Sequence, residues 1–402
     1  MSSTTASRAW ERAAARWRSI RASTTAATGG PGTERLARSR RLLSAPRLAW
    51  RPLGGLLGPA VGDASQSLGA LALSATTSLI TGLTLAAFTD TLEEFPGLLL
   101  FIPAAIGLRG NVFGPFGSRL STAIQTGQFS WTWRPDSLLG QNLIAVVVNS
   151  LVAGLGIACA AEVLALVLDP EGGVVPIGFG DFIVVSLVGG ILASFVVLIA
   201  TLGLTVASVR FDWDLDNVTA PLVTATSDLI TLPALVLSLV LVDKGSTTTV
   251  TAAVAAFIAL VMALGLWRSG LSIAKRIVAE SIPVLMAAGL LSLMAGVAIE
   301  RFENQLTWVL LALLPGYLGT AGALGGILSS RLSSKLHLGS MEPSGVPGKG
   351  ARADMISTFV LALPVFLFTA VVVEMGAGLA GLESPGLLDL ILVALLGGLL
   401  AT

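Results

Sequence analysis

Apolar residues run along this chain in blocks of about twenty, separated by short clusters of glycine, proline and charge. One block per membrane crossing predicts helices near 67–88, 97–117, 137–168, 181–208, 218–242, 249–267, 279–299, 306–330, 354–378 and 387–402. Ten such helices make an all-α, polytopic membrane helix bundle. The last, at sixteen residues, or about 24 Å, barely spans.

The pattern also repeats. Shifting "PAAIGLRGNVFGPFGSRLST", Pro103 to Thr122, by 212 positions lands on "PGYLGTAGALGGILSSRLSS", with eight of twenty residues identical and the run Ser-Arg-Leu-Ser kept. The same shift maps Glu162 onto Glu374 and Asn142 onto Asp354, and after a four-residue loop difference "DFIVVSLVGGILAS" at 181 matches "DLILVALLGGLLAT" at 389. An internal duplication follows. It divides the chain into a basic segment at 1–60, a first five-helix repeat at 61–246, a linker helix at 247–272 and a second repeat at 273–402. Five is odd, so direct fusion would invert the second unit; the linker helix restores a parallel pair, with a candidate path at their interface near the bilayer midplane. Because Thr402 matches Ser194, the second repeat is expected to be truncated. Its fifth helix would come from a homodimer or heteromer partner, or the unit would be a reduced structural copy.

Composition agrees with a lipid environment: 54% of residues are hydrophobic, 12% are charged, and mean hydropathy is +0.85. One cysteine, Cys159, excludes an internal disulfide, and one histidine, His337, leaves little imidazole for catalysis or zinc. Oxygen atoms must carry the chemistry, with no cofactor. The zero net charge hides a polar split, because residues 1–55 hold eleven arginines against Glu11 and Glu34. Arg8, Arg12 and Arg16 beside Trp10 and Trp17 suit a helix on anionic lipid. A basic tail that only sets orientation, or a transit peptide, fits the same residues, and no nucleic-acid partner is expected. With the N-terminus cytoplasmic, the inner loops gather ten basic residues and the outer loops two, Lys244 and Arg301. The expected location is the cell membrane.

Two segments carry candidate chemistry. In "DWDLDNVTAPLVTATSDLITLPAL", Asp228 lies about ten residues into the fifth helix, where an aspartate costs about 2.5–3.5 kcal/mol on insertion scales and so faces a partner, an ion or water. Thr219, Thr224, Thr226 and Ser227 add hydroxyls without positive charge, an oxygen set suited to a hydrated Mg²⁺. Asp212, Asp214 and Asp216 stand at the inner mouth of this helix. In the second segment Pro103, Gly107, Gly110, Gly114, Pro115 and Gly117 predict a broken helix, tolerated at membrane depth only inside protein or along a wet cavity. Asn111 would then add an amide oxygen as ligand. Gly110 and Gly114 also fit a small-residue packing face. Arg119 and its counterpart Arg331 suit inner anchors to phosphates or helix carbonyls. Glu162 and Glu374 could draw cations to the outer mouth or be ordinary interfacial carboxylates. Asn142, Asn149 and Asp354 line the path or bond between helices. The second copy replaces Asn111 with Ala323, Arg109 with Ala321 and Pro115 with Ile327, so the first copy is expected to supply the ligands.

At these residues the sequence resembles the membrane domain of the MgtE-type magnesium transporters, and more closely their duplicated solute-carrier relatives. The glycine-asparagine segment ending in "SRLST" is similar to their second-helix signature, and "DNVTAP" with Asp228 to their fifth-helix signature. The resemblance implies divalent cation transport, Mg²⁺ foremost, with Asp228 as the ion-binding aspartate and Asp214 or Asp216 at the inner entrance. No CBS pair or helical sensor domain fits within the first sixty residues, so gating by such a domain is not expected. Alternatives from the residues are a sodium- or proton-coupled exporter and a non-conducting subunit paired with a complete homologue. An intramembrane enzyme is a poorer fit, since HExxH and GxSxG are absent.

Overall fold

Glycine governs how these helices meet, because in lipid no water-driven force presses apolar helices together and close backbone approach must supply the contact. The computed structural model describes residues 61–88, 94–95, 97–168, 178–211, 215–242, 244–302, 308–337, 339–342, 346–380 and 384–401. The basic N-terminal segment and Asp214 lie outside these residues. Ten helical rods occur among them, and no strand. They are α1 (Val61–Ala87), α2 (Leu98–Gln125), α3 (Leu138–Leu168), α4 (Phe179–Phe211), α5 (Leu215–Ser238, extended by a 3₁₀ turn Leu239–Leu241) and α6 (Ser246–Arg268). The rest are α7 (Ser272–Phe302), α8 (Trp308–His337), α9 (Lys349–Ala380) and α10 (Leu387–Ala401).

Seven of the rods, α1, α3, α4, α5, α6, α7 and α9, are long and apolar enough to cross a membrane; α10 is a shorter apolar helix. Helices α2 and α8 hold 28 and 30 residues and carry glycines and polar side chains among their apolar ones. Helix α2 is enclosed, with Phe101, Phe113, Phe116 and Leu120 fully buried, so its outer surface need not satisfy lipid. On α6, by contrast, Val250, Val254, Phe257, Val261 and Leu264 are exposed.

Helix α2 corrects one expectation. It runs unbroken through both Pro103 and Pro115. Each proline removes one backbone donor, and twelve residues separate the two, so each loss is local and the remaining ladder carries the rod. The irregular backbone sits instead in α4, where Val185–Gly189 is a π-helical turn. Arg109 of α2 reaches it: buried, it donates to the Ala105 carbonyl at 2.6 Å and the Ser186 carbonyl at 3.4 Å. Gly190 makes the room, for a Cβ there would stand 2.3 Å from Arg109 Nη2.

Packing follows the same rule elsewhere. Helix α1 packs on α5, α8 and α9, while α7 packs on α2 and α3. A Cβ on Gly296 of α7 would lie 2.0 Å from the Leu100 carbonyl of α2, and one on Gly289 would lie 2.6 Å from Ile157 of α3. The start of α7 is capped at a distance: Gln141 Oε1 of α3 accepts the backbone N–H groups of Ile273 and Ala274 at 3.0 and 3.3 Å, filling donors that a helix N-terminus leaves open. Gly245, at φ 57°, turns the chain from α5 into α6. Thr248 closes that turn through the Leu241 carbonyl and the Lys244 N–H.

Replacing Gly296 with Ala is expected to destabilise the purified protein by about 1–3 kcal/mol, the usual cost of overpacking. Gly203→Ala, where nothing lies within 4 Å, is expected to be neutral or stabilising by up to about 1 kcal/mol. Denaturant unfolding of both variants in detergent checks the contrast.

Candidate functional site

Helix α5 lies in the groove between α2 and α8, antiparallel to both. A Cβ on Gly117 would meet Thr219 at 2.1 Å and one on Gly110 would meet Thr224 at 3.9 Å; on α8, Gly326 faces Ala220 at 2.7 Å and Gly319 faces Asp228 at 2.6 Å. The seat therefore consists of two glycines on each rod, seven residues or about two helical turns apart. Beside it opens a cavity of about 840 Å³ between α2, α5, α7 and α8. Gly107, Gly110, Asn111 and Gly114 form its α2 wall, and Thr219, Thr224 and Asp228 its α5 wall. Ser292 and Leu291 of α7, with Gly319, Gly322, Gly325 and Ser329 of α8, complete it.

Asp228 is 2% exposed. Its Oδ2 accepts a hydrogen bond of 3.2 Å from Ser78 Oγ of α1, and no Lys, Arg or His pairs with it among the described residues. It is thus a buried carboxylate that borders the cavity without a cationic partner among the described residues. No group of three or more His, Cys, Asp or Glu side chains capable of holding a metal occurs among the described residues. One acid with hydroxyls and an amide suits a cation that retains part of its water.

Other predicted residues fall in several places. Asn111 and Thr224 border the cavity with Asp228, as do the three glycines Gly107, Gly110 and Gly114. Asp216 lies in the first turn of α5. Arg119 also borders the cavity, and its Nε donates to Asn142 Oδ1 at 2.8 Å. Asn142 in turn donates to the Leu138 carbonyl, so it joins α2 to α3 and does not reach the cavity wall. Asp354, its counterpart under the 212 shift, makes a 2.6 Å ion pair with Lys335, joining α9 to α8. Arg331 is half-buried on the same stretch of α8. Asn149 is buried away from the cavity with an unpaired Oδ1. Glu374 is held by the hydroxyl of Ser384, and Glu162 is half-buried on α3; neither borders the cavity.

Sequence reasoning missed Ser78, Gly319 and Gly322. A serine in an apolar helix and a glycine in a repeat that has lost its polar residues give no signal of their own; only the meeting of Ser78 and Gly319 with Asp228, and of Gly322 with the cavity, does.

The stretch that builds two of the cavity walls has known relatives. Residues 102–238 match the family model MgtE, described as a divalent cation transporter. Over this stretch the chain is similar to the MgtE-type family. The match runs from α2 to the end of α5 and contains Asp228, Asn111 and Thr224, whereas Ser78, Ser292 and Gly319 lie outside it. Beyond the MgtE-type segment, similarity extends to solute carrier family 41 member 2 of Gallus gallus, 28% identical over 264 residues, which are 63% of this chain and 44% of that protein. Solute carrier family 41 member 3 of Mus musculus is 27% identical over 250 residues, 61% of this chain and 51% of that protein. The chain thus spans about half the length of the curated relatives it matches. No solved structure matches it. An MgtE-type segment with seven apolar helices of spanning length makes this a multi-pass membrane protein.

Water access to the cavity is testable by thiol labelling. In a Cys159→Ser background, Asn111→Cys and Ser329→Cys are expected to react with a charged, water-soluble thiol reagent, and Asn149→Cys to stay unlabelled at matched reagent and time.

Proposed function

We propose that this protein moves divalent cations, Mg²⁺ foremost, across a membrane through the cavity between its two related halves, with Asp228 as the central ligand. One observation carries the reading: a buried carboxylate without a cationic partner borders a cavity walled by a divalent-cation-transporter segment. Thr224, Asn111 and the Ser329 hydroxyl offer oxygens to the water shell of the ion, which Mg²⁺ gives up reluctantly. Asp214 and Asp216 raise the cation concentration at the entrance. Arg119, which also borders the cavity, is held through its Nε by Asn142.

The two halves are proposed to be parallel repeats joined by α6, related by an axis through the α2–α8 contact. Ser118 Oγ and Ser330 Oγ, 212 positions apart, share a 3.0 Å hydrogen bond, which is what residues near such an axis do. The exchange of partners supports the same reading: α1 packs on α8 as α7 packs on α2, each first helix lying on the opposite half. The excess of basic residues in alternate loops favours a cytoplasmic N-terminus in the cell membrane.

Asp228→Asn keeps the shape and the Ser78 contact but removes the charge. In proteoliposomes it is expected to cut Mg²⁺ flux at least tenfold while the protein remains monodisperse and folded. Flux equal to that of the unaltered protein would contradict the assignment.

A further inference from the structure

The carboxylate that borders the cavity is seated by residues outside the MgtE-type segment. Ser78 Oγ of α1 donates to Asp228 Oδ2, and the same oxygen rests against Gly319 of α8, where a Cβ would stand 2.6 Å from Oδ2 and 3.3 Å from Ser78 Oγ. Ser78 is wholly buried. Among the described residues it is the one hydrogen-bond donor to Asp228, so it engages Oδ2 and leaves Oδ1 without a protein partner. Gly319 provides the depth. Any side chain there would drive the carboxylate out of its recess, toward the cavity or into α1.

The niche recurs, which argues that it is built and not incidental. Helices α1 and α7 align at a shift of 214, with Ser67, Leu71, Ser78, Leu79, Gly82 and Phe88 repeated as Ser281, Leu285, Ser292, Leu293, Gly296 and Phe302. Ser292 Oγ lies 3.4 Å from the Cβ position of Gly107, just as Ser78 Oγ lies 3.3 Å from that of Gly319, its partner at the 212 shift. Each half therefore sets a serine of its first helix over a glycine of the other half's second helix. Only the Ser78–Gly319 niche receives a carboxylate; at Gly107 nothing but Ser292 lies within 4 Å.

We propose that Ser78 and Gly319 are positioning residues of the cation site: the glycine sets how far the Asp228 carboxylate withdraws from the cavity, and the serine holds one oxygen so that the other faces the ion. This rests on the reading of Asp228 as the ligand. The site is thereby shared between halves, and the second half contributes by leaving a side chain out.

The test measures Mg²⁺ flux into proteoliposomes as a function of concentration, together with melting temperature. Ser78→Ala is expected to raise the half-saturating Mg²⁺ concentration about tenfold, the scale of one charge-assisted hydrogen bond, with the maximal rate little changed. Ser78→Thr, which keeps the hydroxyl, is expected to restore it. Gly319→Ala is expected to lower the melting temperature in the native background but not in Asp228→Ala, where the opposing carboxylate is gone. That coupling is read without transport, so it stands or falls separately from the ligand assignment. Equal thermal penalties in both backgrounds, or a half-saturation in Ser78→Ala matching that of the unaltered protein, would overturn the proposal.

Discussion

A carboxylate halfway along a buried helix is the constraint to which the rest of this bundle is fitted. At bilayer depth it carries a cost of about 2.5–3.5 kcal/mol on insertion scales, and proteins usually lower that cost by pairing the acid with a base. Among the described residues Asp228 has one hydroxyl donor instead. Under the proposed function the remaining compensation comes from the cavity, through water or a cation. Once an acid is kept in that condition, its helix must be held by contacts that are not electrostatic, and the glycine seat of α5 provides them.

The seat explains why two glycine-rich rods stand at the centre of an otherwise apolar bundle. Gly110 and Gly117 on α2, with Gly319 and Gly326 on α8, bring backbone against the side chains of α5. Their neighbours Gly107, Gly114, Gly322 and Gly325 line the cavity. Gly110, Gly319 and Gly326 border the cavity as well, so a missing Cβ closes a helix contact and leaves space open at the same positions. Polar links tie the rods at the end bearing the basic residues, through Arg119 with Asn142 and Lys335 with Asp354. Lys335 remains partly exposed, so that ion pair adds at most about 1 kcal/mol; its use is to fix α9 against α8.

Much of this was legible in the sequence because lipid forces long apolar runs, and all ten rods coincide with such runs. Asp228, Asn111 and Thr224 stood out because polar oxygens inside an apolar helix are costly without a use. The break in α2 was misread. Counting prolines and glycines measures how many backbone bonds a helix loses, but not whether the remainder holds, and in α2 it does. The π-helical turn of α4 has no such marker, since its partner, Arg109, is 77 positions away from Ser186. The approach of Gly319 to Asp228 was also hidden. The loss of Asn and Arg at the positions of Ala323 and Ala321 pointed to the first copy as the source of ligands, whereas the missing side chain at Gly319, beside Asp228, is an absence that only three-dimensional packing reveals.

The central claim is that a divalent cation visits the carboxylate of Asp228 from the cavity. It is tested most directly by a crystal structure of the protein grown in Mn²⁺, with anomalous scattering recorded to locate the ion. The account predicts an anomalous peak in the cavity beside Asp228, within the first or second coordination sphere of its carboxylate. An empty cavity under saturating Mn²⁺, with Asp228 closed against a neighbouring side chain, would contradict it.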